Sequence, residues 1–533
     1  MLNIKYKISY AINANDIQTI TADPGANLLE LLREHQAAPT AACNGKGICG
    51  KCRVRITQGH MPVTEEDRCF FTEQELAEGY RLACKCSIRD HITVLASDEN
   101  TKIQALGIEK LKQPQTVQQS QKNETGYAIA VDLGSTTLAA ALIDMQGNVL
   151  DQAVAVNSQR AYGADVLSRM QASNEGKREQ LQACICRDLE QLFLKLVCGQ
   201  GAPIQILNIA IAGNTTMFHL LRGYSCEMLG QAPFEPVSLK MECLEYRQLF
   251  AKVQGCSACK VYLLPGMSAF IGADVTAGLY SSGFWQTARQ HPSFFIDLGT
   301  NGELAYGTKE GFVTASTAAG PAFEGGRLSC GTPGIPGAIS KVTYLYHRVR
   351  IQTIGQKKPC GICGTGAMEA AAALRTEGLM DTEGLLAPQI FDTGMELARR
   401  EDGSRICLTQ ADIREIQMAK AAIRAGLFVL QKRYEQEYAN KWKEQEGHIY
   451  LAGGFGYYLS ADAAITIGLF EPEWKEKIVL CANTSLKGAI AFLTEPSCAR
   501  QLEQICSKNR TIRLESDADF QEMYVRQMRF PAL

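Results

Sequence analysis

The chain has 533 residues, a net charge of −2, 46 % hydrophobic residues and 20 cysteines. Such a length and apolar content predict several domains with real cores, and the balanced charge excludes the basic footprint of a nucleic-acid binder and the polybasic anchor of a membrane-surface protein. No run reaches the roughly 18 apolar residues of a membrane span, and the opening MLNIKYKISYAI alternates like a strand where a signal peptide would be continuously apolar; the expectation is a cytoplasmic protein whose thiols stay free or hold metal.

Residues 3 to 22 read as a strand pair around the turn AINAND, and PGANLLELLREHQ reads as a short amphipathic helix. The segment AACNGKGICGKCRVRI then places Cys43, Cys49 and Cys52 in a glycine-rich loop, separated by five and two residues, and Cys84 follows in RLACKC after a gap of thirty-one. Three bunched thiolates and a distant fourth suit a [2Fe–2S] cluster. The glycines let the backbone wrap closely round it and aim N–H groups at its sulfurs. Four cysteines would also serve a structural zinc, although zinc knuckles use paired short spacings. Cys86 is the alternative to Cys84 as fourth ligand, and Cys69 is read as an ordinary thiol. Over residues 1–97 the pattern resembles [2Fe–2S] ferredoxins, with the first gap of the adrenodoxin type, and implies a β-grasp domain.

Residues 98–125 turn polar, with GIEKLKQ and TVQQSQKNET, and read as a linker. Such a tether lets a cluster module swing between an electron donor and an acceptor, or serves as a passive spacer.

The stretch YAIAVDLGSTTLAAALIDMQGNVLDQAVAVN reads as three strands, with Asp132 where a buried strand meets solvent and Gly134, Ser135, Thr136 and Thr137 in the turn after it. Small residues there let backbone N–H and hydroxyl groups approach phosphate oxygens, while the carboxylate can hold Mg²⁺ through water. FFIDLGTNGELAY repeats the pattern with Asp297, Gly299, Thr300, Asn301, Gly302 and Glu303. HIYLAGGFGYYLS runs an apolar strand into Gly453, Gly454 and Gly456, as expected where a helix start packs against a base and ribose. LLPGMSAFIGADVTAGLYSS and ANTSLKGAIAFL read as small-residue helices that let two lobes cross closely and hinge. The turn at Asn214, Thr215 and Thr216 is a candidate contact for phosphate or a partner, and GPAFEGG (320–326) and CGICGTGAMEAAAAL (360–374) are candidate nucleotide contacts. The pairs Cys360/Cys363, Cys256/Cys259 and Cys184/Cys186 have no second CxxC nearby and read as thiols rather than metal ligands.

These pieces fall in the order of the phosphate-1, connect-1, phosphate-2, adenosine and connect-2 motifs, and resemble the actin, sugar kinase and Hsp70 superfamily. The resemblance implies a multidomain α+β and α/β chain: the ferredoxin, the linker, and a two-lobed ATPase with lobe I at 126–290 and lobe II at 291–533. It implies ATP and Mg²⁺ in the cleft, catalytic roles for Asp132, Asp297 and Glu303, and nucleotide contacts from the glycines, serine, threonines and asparagine named above. The whole arrangement, including AYGADVLSRM, resembles the reductive activators of corrinoid proteins. That likeness implies ATP-dependent, one-electron reduction of Co(II) to Co(I) cobalamin in a corrinoid protein of a methyltransferase system, an electron-donating reductase as a second partner, and a homodimer as an option. Relatives with a [4Fe–4S] cluster in a C-terminal segment are set aside, because the tail holds only Cys498 and Cys506. Two other readings stay open: a small-molecule kinase with a redox-sensing ferredoxin, using Asp165 or Asp274 as base, and a non-catalytic ATP-binding redox sensor.

Overall fold

Alternating polarity near the N-terminus gives the first sheet of the computed structural model, which describes residues 5–11, 17–35, 37–95, 126–200, 204–251, 255–256, 258–287, 291–299, 301–345, 348–438, 447–453 and 459–533. The expected linker lies outside the described residues, as do Thr300, Gly454 and Gly456. Tyr6–Ala11 (β1), Ile17–Ala22 (β2), Arg53–Gln58 (β3), Tyr80–Leu82 (β4) and Ile92–Leu95 (β5) form a mixed sheet in the order β2-β1-β5-β3-β4. The helix Leu28–Glu34 starts at Asn27, whose side chain accepts from the N–H groups of Leu29 and Glu30, a cap worth about 1 kcal/mol. Its Leu28, Leu29 and Leu32 close a core with Ile8, Val54 and Val94. This is the β-grasp arrangement that the resemblance of residues 1–97 implies.

The next sheet is built from Tyr127–Leu133 (β6), Thr137–Asp144 (β7), Val149–Val156 (β8), Ile206–Gly213 (β9), Glu242–Glu245 (β10) and Lys260–Leu263 (β11), in the order β10-β11-β9-β6-β7-β8. The third begins with Ser293–Leu298 (β12), Gly302–Thr308 (β13) and Gly311–Thr317 (β14). Ala338–Leu345 (β15), Arg348–Thr353 (β16) and Gly361–Ile362 (β17) then make a small sheet, and Met395–Arg399 (β18) and Arg405–Leu408 (β19) a hairpin. Ile449–Ala452 (β20), Ile478–Leu480 (β21) and Asn509–Thr511 (β22) complete the third sheet as β21-β20-β12-β13-β14-β22.

The duplication is visible in the pairing. In each lobe an antiparallel meander (β6-β7-β8, β12-β13-β14) takes a parallel strand on the side of its first member (β9, β20), and a further parallel strand lies beyond it (β11, β21). The two faces of the first-lobe sheet carry different residues. Ile129, Val131 and Leu133 join an outer core with the helix Arg178–Cys198, while Ala130, Ala139, Ala141, Ala210 and Ala212 face a layer shared with Phe295, Phe312 and Tyr450 of the second lobe. Alanines there leave room for two helices, Ala273–Ser281 and Thr484–Thr494, between the sheets. The helices cross on small residues: a β-carbon at Gly488 would lie 2.5 Å from the carbonyl oxygen of Ala277, and one at Gly278 would lie 2.7 Å from the Phe295 ring.

One expected helix is shorter than its sequence suggests. LLPGMSAFIG is a loop in which the N–H groups of Met267 and Ser268 both donate to the Ile271 carbonyl. Pro265 lacks an N–H to give, and the helix starts only after Gly272, where a β-carbon would lie 2.5 Å from the Asn214 Cα. Among the described residues no helix is long and apolar enough to cross a membrane.

Candidate functional site

The cysteine loop holds its shape through left-handed backbone at Asn44, Gly45, Gly47 and Gly50, with φ of 51°, 84°, 82° and 66°. Three of these are glycines, the residue for which that region carries no steric cost. The coil turns backbone N–H groups inward. Burial acts to raise the Cys43 thiol, yet hydrogen bonds from Ile48, Gly47 and Cys49 outweigh it and hold the thiol below its ordinary range. On the other side, Cys52 and Cys84 lie with sulfurs 3.3 Å apart. The hydrogen bond with Cys84 holds Cys52 down at about 7, while the same bond pushes Cys84 up. The four cysteines thus stand as two pairs, Cys43 with Cys49 and Cys52 with Cys84. Two thiol pairs suit the four-cysteine donor set of a [2Fe–2S] cluster; among the described residues, in this loop and between the lobes alike, no three His, Cys, Asp or Glu side chains are placed to hold one metal ion directly. Cys86 is buried with its thiol donating to the Leu82 carbonyl at 3.3 Å, and Cys69 is exposed.

The second centre lies between the lobes. Asp132 is the penultimate residue of β6 and Asp297 that of β12, and the two occupy the same register in their sheets, Asp132 beside Ala212 of β9 and Asp297 beside Ala452 of β20. Glu303 sits directly across from Asp297 on β13 and accepts from the Ser316 hydroxyl at 3.4 Å. Asp274, in the first turn of Ala273–Ser281, faces the same space. Burial raises all four carboxyls, and their mutual repulsion adds to the rise in Asp274, Asp297 and Glu303. Asp274 and Asp297 reach about 7, and Glu303 sits well above its ordinary range. Four buried carboxyls close enough to repel one another favour any positive charge that enters the cleft, although they are not placed to ligate one ion directly.

Two side chains outside the expected set fix Asp132. Asn483 donates to Oδ2 at 2.7 Å and Ser485 to Oδ1 at 2.8 Å, the first from the N-cap and the second from the first turn of Thr484–Thr494. The sequence signal was the N-cap motif ANTS, which also satisfies the helix's own N–H groups. Asn157 is a third addition: its amide donates to the Gly134 carbonyl at 3.0 Å and its backbone N–H to the Thr136 carbonyl at 3.0 Å. These bonds fix the carbonyls of the turn Gly134–Thr137. A β-carbon at Gly134 would lie 2.4 Å from the Thr137 carbonyl oxygen. In the second lobe, Gly299 and Asn301 form the corresponding turn through a 3.0 Å backbone bond. Gly302 leaves room for Ile423, whose Cδ1 a β-carbon would meet at 2.2 Å.

Other candidates have structural duties. Asn214 caps the helix Thr215–Arg222, accepting from Met217 N–H, and Thr215 donates to the Ser268 carbonyl at 2.7 Å. Asp165 caps Val166–Ala172 through a reciprocal pair with Ser168. A β-carbon at Gly364 or Gly366 would lie 1.9 Å from the Phe323 carbonyl oxygen or 2.1 Å from that of Ile339, so this glycine-rich entry serves close helix packing. Burial pushes Cys256 to about 11 and Cys184, Cys186 and Cys259 to about 12, as for neutral thiols in a core.

Comparison with known proteins gives the following. Residues 12–89 match the 2Fe-2S iron-sulfur cluster binding domain, residues 127–287 the RACo middle region, and residues 291–533 the C-terminal domain of RACo, the ASKHA domain. The chain is 30% identical over 430 residues to the corrinoid activation enzyme RamQ of Eubacterium limosum, spanning 76% of this chain and 70% of that protein. It is 26% identical over 412 residues to the [Co(II) methylated amine-specific corrinoid protein] reductase of Methanosarcina barkeri, spanning 72% of each. A solved structure, the reductive activator for corrinoid, iron-sulfur protein, superposes with a TM-score of 0.68 at 25% identity, covering 99% of this chain and 98% of that one.

Proposed function

The chain belongs to the family of reductive activators of corrinoid proteins, and from that premise we propose that it returns a methyltransferase corrinoid from Co(II) to Co(I) with ATP and Mg²⁺ bound between its lobes. One observation carries the reading: a single chain unites a cysteine loop fitted to a [2Fe–2S] cluster with a cleft in which equivalent strands of a duplicated fold bring Asp132 and Asp297 to one place. Cys43, Cys49, Cys52 and Cys84 would hold the cluster, which when bound supplies the single electron.

Asp132, oriented by Asn483 and Ser485, and Asp297 would hold Mg²⁺ through water, with Asp274 as a third carboxylate. The turn Gly134–Thr137 would offer its N–H and hydroxyl groups to the phosphates, with Gly299, Asn301 and Gly302 of the second lobe opposite, and Gly453 would border the adenosine; Thr300, Gly454 and Gly456, expected in the same roles, lie outside the described residues. Glu303, across from Asp297, is the carboxylate that takes a proton from the hydrolytic water. The reading divides the chain at 97, 125 and 290, places it in the cytoplasm, and assigns it an electron-donating reductase as its upstream partner.

The energetic reason for ATP follows from potentials. Moving one electron uphill costs ~2.3 kcal/mol per 100 mV, and plant-type clusters sit at roughly −400 mV, so an acceptor of lower potential stays mostly oxidised. Closing the lobes about a nucleotide changes the surroundings of the bound corrinoid protein, so that a cobalt ligand is lost and the cobalt potential rises. Moving such a clamp almost fully from one state to the other takes about 5.5 kcal/mol of differential binding. Hydrolysis then releases the partner. The test supplies a purified corrinoid protein, this chain and a chemical reductant, and follows Co(I) by its absorption. The expected result is Co(I) accumulating only when ATP and Mg²⁺ are present; equal yields without ATP would sink the reading.

A further inference from the structure

The ferredoxin domain is seated on the first lobe through one buried arginine. Arg33, at the end of Leu28–Glu34, is 4 % exposed. Its Nε donates to the Ala161 carbonyl at 2.8 Å and its Nη2 to the same oxygen at 2.5 Å, and the guanidinium lies 4.6 Å from the centre of the Tyr162 ring. On its own domain Arg33 also holds Glu30 at 2.5 Å and Asn44, next to Cys43, at 3.0 Å. Around it the Ala41 N–H donates to the Arg160 carbonyl at 3.1 Å. Lys177 pairs with Glu30 at 3.1 Å, while Glu175 takes Asn44 at 3.2 Å and Lys46 at 3.5 Å. A desolvated arginine that joins a carbonyl of the first lobe to side chains of its own domain is the kind of contact that gives an interface much of its energy.

The segment that receives Arg33 starts at the phosphate-1 turn. Asn157 binds the carbonyls of Gly134 and Thr136 and caps the 3₁₀ turn Ser158–Ala161 through the Gln159 N–H. Ser158 is held by Asp188 through two bonds of 2.8 Å, Gln159 by the Leu181 carbonyl at 2.8 Å, and Gly163 by Arg169 at 2.9 Å. A strut fixed at every step thus runs from the first-lobe phosphate turn to the floor of the ferredoxin interface.

We infer that the strut Asn157–Gly163 couples nucleotide in the first lobe to docking of the ferredoxin domain, with Arg33 as the positioning residue that seats the cluster loop against residues 160–177. The sign follows from the bonds. Asn157 holds two carbonyls of the turn, so a phosphate taken by the turn's N–H groups and a ferredoxin docked on the strut would favour the same turn geometry. Coupling of this kind is reciprocal: docking raises nucleotide affinity by the factor by which nucleotide strengthens docking. This inference rests on the reading that the Gly134–Thr137 turn binds nucleotide.

The test is hydrogen exchange on the full chain, because the Ala41 N–H crosses the interface and reports docking directly, combined with titration of a fluorescent ADP in the presence of Mg²⁺. The expected result is that Mg²⁺–ADP slows exchange at Ala41 about tenfold, that Arg33→Ala abolishes this protection, and that Arg33→Ala weakens ADP binding by the same factor of about ten. Glu175→Lys, an exposed change outside the ferredoxin core, repeats the effect in weaker form, and the double variant Lys46→Glu, Glu175→Lys restores it. Normal ADP binding with Ala41 exchange indifferent to ADP and to both single variants would overturn the inference alone. Failure of the unaltered chain to bind ADP at all would overturn the nucleotide reading, and the inference with it.

Discussion

Gly453 backs directly onto Asp297: a β-carbon at Gly453 would lie 2.7 Å from Oδ1 of Asp297 and 2.6 Å from the Leu298 carbonyl oxygen. Its φ of 84° adds a left-handed requirement to the lack of space, which for a residue with a side chain costs about 1–2 kcal/mol before any clash. Gly453→Ala is therefore expected to displace the Asp297 carboxylate and lower Mg²⁺–ADP affinity at least tenfold, while the ferredoxin domain keeps its fold. Calorimetric titration and the visible spectrum of the reconstituted cluster read the two parts separately.

Asp132 adds its charge to the crowding felt by Asp274 and Asp297. Asp132→Asn removes that repulsion, and the nucleotide-free chain should melt about 2–4 °C higher, the shift that ~1 kcal/mol produces in a domain of this size. The same change should weaken Mg²⁺–ADP by two orders of magnitude. Ser485→Ala keeps the charge but frees one carboxylate oxygen, and should lower affinity several-fold without raising the melting temperature. A melting temperature that falls in Asp132→Asn would contradict the assignment of this cluster as electrostatically strained.

The pH dependence has a defined sign. Burial, with repulsion from neighbouring carboxylates, lifts Asp274 and Asp297 from 3.8 to about 7, so the folded chain binds more protons than the unfolded chain between those values. Stability without nucleotide therefore falls as pH rises through that window and levels off above it. A bound cation must displace the same protons, so Mg²⁺–ADP affinity should rise with pH, about tenfold per unit for each proton released, and flatten above neutrality. Melting curves from pH 5 to 8, with and without Mg²⁺–ADP, should converge at the acid end.

Cys84 and Cys86 are separated by one residue and are not equivalent. Cys84 lies 3.3 Å from the Cys52 sulfur, whereas the Cys86 thiol is engaged by the Leu82 carbonyl. After anaerobic reconstitution, Cys84→Ser should lose most of its iron and its visible absorption, and Cys86→Ser should keep both at a stability cost of about 1 kcal/mol. Full iron content in Cys84→Ser would reassign the fourth ligand.

Much of the architecture was written locally. The alternating residues of β1 and β2, the apolar runs of β6 and β12 that deliver an aspartate into small residues, and the glycine-rich cysteine loop are patterns of neighbours along the chain, and neighbours fix backbone dihedrals. Even the error was local: small residues around Pro265 read as helix, but the missing proline N–H and the tight approach of Gly272 to Asn214 made a loop.

What adjacency could not express was convergence. Asn483 and Ser485 reach Asp132 from more than three hundred residues away, Asp274 joins Asp297 from the other lobe, and Arg33 crosses from the ferredoxin to Ala161. A cap, an acidic first turn and a helical arginine each look the same in sequence whether or not they meet a second site. The sequence by itself determined the two chemistries, a cysteine loop suited to a cluster and paired strand-ending aspartates suited to a nucleotide, because each depends on a few adjacent residues. Only the tertiary structure decided how they are joined, because the packing of the two lobes and the seating of the ferredoxin select which polar groups become neighbours.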